Sequence, residues 1–191
     1  MIESLGLESK AVRVVPYDAR WPGLFRDEAA RLAEVVAGAG LPVLIFEHVG
    51  STAVPGLAAK PILDLAAGRA SECPPSAYVP VIESAGYVYR GDGGLPGREF
   101  FRRGRLRTHH LHLVERGGDH WQRYLVFRDA LRADTALRDD YAALKRRLAE
   151  RFPRDREAYI DGKTAFVEAV LRGGTESGHE HRLPADGPRE Y

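Results

Sequence analysis

Two short apolar runs, Val43 to Val49 and Ile62 to Ala67, flank a stretch rich in glycine, proline and alanine from Gly50 to Pro61. The second run carries a carboxylate, Asp64, between apolar neighbours. Runs of this length bounded by turn residues predict two strands joined by a loop. A charged residue at the centre of a strand must then find a partner or a purpose. The rest of the chain has to supply the layer that buries the apolar side of that pair.

Alternation along the second run puts Leu63, Leu65 and Ala67 on one side and Ile62, Asp64 and Ala66 on the other. Leu63 and Leu65 are therefore expected to be buried against helices. Around this pair, Val12 to Val15 predicts an edge strand closed by Pro16. A helix is expected from Trp21, with Pro22 in its first turn and Phe25, Leu32, Val35 and Val36 as its apolar stripe. Pro75 to Ala85 predicts a short helix and Tyr87 to Tyr89 a strand. Glu99 to Arg103 and Thr108 to Glu115 predict two arms of a hairpin, with Gly104 in the turn. Between these, Gly91 to Gly97 is a glycine-rich loop suited to a lid or hairpin tip.

Three helical stripes follow: Trp121, Leu125 and Leu131; Leu137, Tyr141, Leu144 and Leu148; and Tyr159, Phe166 and Val170. Trp121 and Tyr124 read as core rather than as a stacking platform. The expectation is an α+β chain with a mixed β-sheet packed by helices and a helical C-terminal half. Residues 1–172 form one domain on this reading, and the polar, glycine-rich 173–191 form a disordered tail with few contacts.

The chain has 191 residues and a net charge of +1, from 28 basic and 27 acidic residues. That balance argues against nucleic acid as a partner and against an anionic membrane. No apolar run approaches the ~20 residues that span a bilayer. The single cysteine, Cys73, and the absence of a signal-peptide layout predict a cytoplasmic protein. Only four basic residues are lysines: Lys10, Lys60, Lys145 and Lys163. In so arginine-rich a chain, a retained lysine suggests a need for its compact amine.

The histidine strand repeats the pattern of the aspartate strand. His110 and His112 fall on one side of Thr108 to Glu115, opposite Leu111 and Leu113. If the leucine sides pack on helices, Asp64, His110 and His112 face the same cleft. They either form a hydrogen-bonded polar face or bind a ligand, a transition metal included. Arg98, Arg102, Arg103, Arg105 and Arg107 form a basic cluster suited to an anionic substrate or to a solvated face. Lys163, between Tyr159 and Phe166 on an inward stripe, needs an anion or must reach solvent.

The string Gly50-Ser51-Thr52-Ala53-Val54-Pro55-Gly56-Leu57-x-x-Lys60-Pro61-x-x-Asp64 resembles the GrpB family, as do Leu111-His112-Leu113 and the pair Tyr159 and Lys163. The resemblance covers about residues 11–172. It implies a fold like that of the DNA polymerase beta-type nucleotidyltransferases. The implied activity is Mg²⁺-dependent nucleotidyl transfer from a nucleoside triphosphate, ATP foremost, to an anionic small molecule, or a related ATP-using ligation. A non-catalytic nucleotide- or anion-binding module is the alternative. In actinobacteria, GrpB-like domains occur fused to dephospho-CoA kinases, which implies an association with nucleotide or coenzyme metabolism.

Carried onto this sequence, Gly50, Ser51 and Thr52 would hold phosphates. Asp64 and His112 would be catalytic and metal-binding, and Lys60 and Lys163 would bind anionic groups. The superfamily places a second carboxylate two residues after the first, where this chain has Ala66. A two-metal site then needs another carboxylate, for which Glu99 and Glu115 are the candidates; without one the site holds a single metal or is no longer that of a transferase. Ser51, Asp64, His112 and Lys163 are expected to converge on one cavity. The identity of the acceptor and the oligomeric state lie beyond the sequence.

Overall fold

The computed structural model describes residues 5–8 and 10–177. Among the described residues, five helices and five strands run in the order α1 (Trp21–Gly38), β1 (Ile45–Val49), β2 (Leu63–Arg69), α2 (Pro75–Ser84), β3 (Tyr87–Tyr89), β4 (Glu99–Arg103), β5 (His109–Glu115), α3 (Asp119–Ala133), α4 (Thr135–Arg151) and α5 (Arg156–Ser177). A 3-10 turn at Ser51–Ala53 follows β1. The strands form one sheet in the order β1-β2-β5-β4-β3. β2 and β5 are parallel and the other pairs antiparallel, so the sheet is mixed. The α+β expectation therefore holds, and from α1 onward the elements follow the predicted order.

Sheet alternation separates two chemically distinct faces. Leu63, Leu65, Ala67, Phe101, Leu111 and Leu113 share one face and pack on Trp21, Leu32 and Val36 of α1 and on Tyr78 and Ile82 of α2. Leu63 and Leu65 are fully buried, as their alternation predicts. Burial of each contributes about 1.5–3 kcal/mol. On the opposite face, Val49, Ala66 and Val114 pack under Trp121 of α3. The small residues there are a steric requirement: a Cβ on Gly68 would lie 2.7 Å from the Trp121 ring. Trp121 is core, as expected, and Tyr124 packs beside it. α4 and α5 complete the helical half, where Val54, Leu57, Leu131, Tyr141 and Ala142 form a separate cluster.

Two expectations are corrected. Val12 to Val15 makes no strand; Val15 forms only one antiparallel bridge, exchanging backbone hydrogen bonds with Ala59. Pro16 has no N–H with which to extend the ladder. The polar tail does not begin at 173, because α5 continues through Gly173 to Ser177. Helix periodicity had marked its apolar stripe only as far as Val170. Residues 178–191, the remainder of the predicted tail, lie outside the described residues. Among the described residues, no helix is long and apolar enough to cross a membrane.

Candidate functional site

The site grows from the β1 to β2 connection. Gly50 leaves β1 with φ +69° and ψ −172°, a conformation open essentially to glycine alone. It also lies against the partner strand: a Cβ there would come within 2.7 Å of Asp64 Oδ2. Gly50→Ala is therefore expected to cost about 1–3 kcal/mol and to push the carboxylate from its place. Urea unfolding combined with the imidazole NMR resonances of the site histidines checks this. Unchanged histidine resonances would show that Asp64 stays where it is.

Asp64 stands beside His110 in the parallel register of β2 and β5, with Ala66 beside His112. Asp64 Oδ1 accepts hydrogen bonds from His110 Nδ1 at 3.0 Å and from His112 Nε2 at 3.4 Å. Burial pushes the Asp64 carboxyl upward, but the hydrogen bonds from the two histidines outweigh it and hold the group well below the usual carboxylate range. Burial lowers the pKa of His110 despite Asp64, which favours a neutral ring. With Nδ1–H given to Asp64, the other nitrogen, Nε2, is an acceptor, and it is buried without a partner among the described residues.

Three of the four lysines meet beside this pair. A cavity of about 210 Å³ is lined by Gly50, Ser51, Thr52, Lys60, Asp64, His110, Tyr141, Lys145, Arg156, Tyr159 and Lys163, among others. Lys145 is 2% exposed and donates to Ser51 Oγ at 2.9 Å and to the Ala58 carbonyl at 2.6 Å. Its amine also sits 4.6 Å from the centre of the Tyr141 ring. Lys60 and Lys163 lie 5.0 and 4.8 Å from the centre of the Tyr159 ring. Among the described residues, none of the three amines has a carboxylate within 4.0 Å. Burial first, then mutual repulsion, lowers Lys145 to about 6 and Lys60 to about 7. Burial lowers Lys163 to about 8.

The expected residues thus converge in part. Gly50, Ser51, Lys60, Asp64 and Lys163 share the lysine cavity. Thr52 also lines it, with its hydroxyl in a buried hydrogen bond to His48 Nε2 at 3.0 Å. His112 touches Asp64 yet lines the neighbouring cavity, beside Arg98.

Glu99 is not at the site. It pairs with Leu113 in the β4–β5 register, on the face opposite Asp64, and accepts from the Tyr89 hydroxyl. Glu115 shares that face and lies 3.9 Å from Arg69. The physical reason is the two-residue side-chain period: every odd position from 109 to 115 turns toward α1 and α2. The second-carboxylate position itself, Ala66, is covered by Trp121.

Lys145, Tyr141 and Arg156 were missed as site residues. Only the scarcity of lysine singled out Lys145, since its position four after Tyr141 reads as one helical core stripe. The arginine cluster disperses. Arg103 pairs with Glu28, and Arg107 is buried against the backbone carbonyls of Leu7, Glu8 and Ala11. Arg98 and Arg102 stay on the Asp64 face. A wider cavity of about 700 Å³, lined mainly by small and apolar residues of α3, α4 and α5 together with Asp129 and Asp134, includes none of these groups.

A family model described as GrpB protein matches residues 11–173. The chain belongs to the GrpB family. Among GrpB relatives, it is 37% identical to the UPF0157 protein BH1888 of Halalkalibacterium halodurans, over 85% of this chain and 82% of that one. It is 35% identical to the UPF0157 protein YqkA of Bacillus subtilis, over 84% of this chain and 46% of YqkA, so it spans about half of that relative's length. A dephospho-CoA kinase of Mycolicibacterium paratuberculosis is 30% identical over 84% of this chain and 45% of that one. The crystal structure of the conserved protein GrpB from Enterococcus faecalis superposes with a TM-score of 0.77 at 32% identity, covering 87% of this chain and 99% of that one.

Proposed function

We propose that the lysine cavity binds the phosphates of a nucleotide, with ATP as the ligand, and that the chain acts as a nucleotide- or anion-binding module. One observation carries this reading: the buried amine of Lys145, the half-buried lysines Lys60 and Lys163, and Arg156 surround a single carboxylate that two histidines already engage. Burying amines without counter-charge is costly, and a polyphosphate supplies several negative oxygens at once. Lys145 uses two of its three donors on Ser51 and Ala58, which leaves one for a ligand. The kinship with a dephospho-CoA kinase fits a role in nucleotide or coenzyme chemistry.

Mg²⁺ does not fit the donor set as it stands. The ion prefers an octahedron of oxygens, whereas Asp64 is the cavity's lone carboxylate and Ala66 fills the place of a second. Among the described residues, no group of three or more histidine, cysteine, aspartate or glutamate side chains is arranged to hold a metal.

A second reading, a nucleotidyltransferase or ATP-using ligase of the superfamily that the motif resembles, draws support from the Asp64–His110 pair. Asp64 fixes the His110 tautomer, and the unpartnered Nε2 would take a proton from an attacking acceptor hydroxyl. Catalysis would then rest on His110 rather than on His112.

Calorimetric titration with ATP in EDTA separates the two. The binding module retains affinity without metal, whereas a Mg²⁺-dependent transferase does not. Binding should also take up protons at neutral pH, because an arriving anion restores charge to amines held at about 6, 7 and 8. Affinity should accordingly weaken as pH rises through that range. Binding enthalpies that do not change between buffers of different ionisation heat would defeat the lysine-cavity reading.

A further inference from the structure

The cavity beside the lysine site, about 560 Å³, is built differently. Arg90, Arg98, Arg102 and Arg156 line it together with Phe100 and His112. His110, Arg156 and Ile160 border both cavities, so the two meet at His110. Among the described residues, none of the four arginines has a carboxylate within 4.0 Å.

Arg98 is occupied locally. Its guanidinium donates to the Asp92 carbonyl at 3.0 and 2.8 Å and to the Gly93 carbonyl at 3.1 Å, which pins the glycine-rich loop. Three other groups keep an unsatisfied nitrogen. Arg102 Nε, Arg156 Nε and His110 Nε2 are buried without hydrogen-bond partners among the described residues, and all three side chains border this one cavity. His110 itself is only 8% exposed. Burial and the charges of Arg156 and Arg90 lower the Arg102 pKa, in keeping with unrelieved repulsion. Phe100 is no free platform for a base, since the guanidinium carbons of Arg98 and Arg102 lie 5.0 and 5.4 Å from its ring centre.

We infer that the arginine cavity is a second oxyanion subsite, which takes a phosphate or carboxylate group distinct from the phosphates at the lysines. The ligand, or pair of ligands, is then anionic at both ends, with His110 between them. Guanidinium forks suit either oxyanion through paired hydrogen bonds. The subsite stands on its own residues; it rests on the lysine-cavity reading only for what occupies the other end.

NMR of the ¹⁵N-labelled full chain tests this, with inorganic phosphate as one probe and acetate as the other. Two sets of amides should respond independently: Gly50 to Thr52, and Gly93, Gly94 and Phe100 to Arg102. Response of the second set to phosphate assigns a phosphate group there, and response to acetate alone assigns a carboxylate. Arg102→Gln should weaken the second set by about tenfold, the worth of one charge-assisted hydrogen bond, and leave the first set unmoved. The same variant should melt at a higher temperature without anion, because it removes an unpaired charge; a purely structural arginine would show a lower one. Silence of the second set with both probes, or indifference to Arg102→Gln, overturns the subsite. Silence of the first set alone overturns the lysine-cavity reading and spares the subsite.

Discussion

Glu28→Ala is expected to lower the unfolding free energy by about 3–5 kcal/mol, the range for breaking a buried ion pair from one side. Glu28 is 6% exposed and joins α1 to the sheet. It accepts from Arg31 at 2.6 Å, from the Tyr87 hydroxyl at 2.9 Å and from Arg103. Burial pushes its carboxyl upward, but these partners overcome that and hold its pKa below the ordinary value. Its contribution is therefore present above the unfolded carboxylate pKa and is lost as pH falls below it. Arg31 and Arg103 are about one-third exposed and can regain water, which favours the lower end of the range. Urea unfolding of Glu28→Ala, Arg103→Ala and the double variant isolates the pair. A loss below about 1 kcal/mol, the level of an exposed ion pair, would contradict the burial argument.

Lys145→Met is expected to weaken ATP binding by about 10- to 100-fold, the worth of a charge-assisted hydrogen bond, while stability holds or rises. The two effects have one cause. The amine is nearly fully buried beside Lys60 and Lys163, and its pKa falls to about 6 from the ordinary 10.5. A group with a lowered basic pKa binds fewer protons folded than unfolded, so ligand-free stability rises with pH from about 6 toward 10.5. Methionine removes that penalty, although Ser51 and the Ala58 carbonyl lose a donor. Calorimetry with ATP and melting curves across that pH range check both halves. Lost stability with unchanged affinity would make Lys145 a structural tether of the Ser51 turn.

The candidate site was partly legible before the fold was known. Gly50 and Asp64 could be singled out because a glycine turn and a charged residue in mid-strand are unusual in any chain. The shared side of Asp64, His110 and His112 followed from strand alternation. Glu99 was misplaced because alternation within β4 does not say which of its faces meets that of β5; the register with Leu113 does. Lys145 was passed over because its helical stripe is a core stripe, and only the packing of α4 on the Ser51 turn turns its amine into the cavity.

The amino-acid sequence by itself determined the periods, and hence the elements, their order and the buried side of the central strands. Those follow from where apolar groups recur along one chain. Only the tertiary structure decided that three lysines from a loop and two helices meet around one carboxylate, and that Trp121 covers the place of a second. Such meetings depend on strand register and helix docking, which arise from contacts between segments far apart in sequence and leave no local period to read.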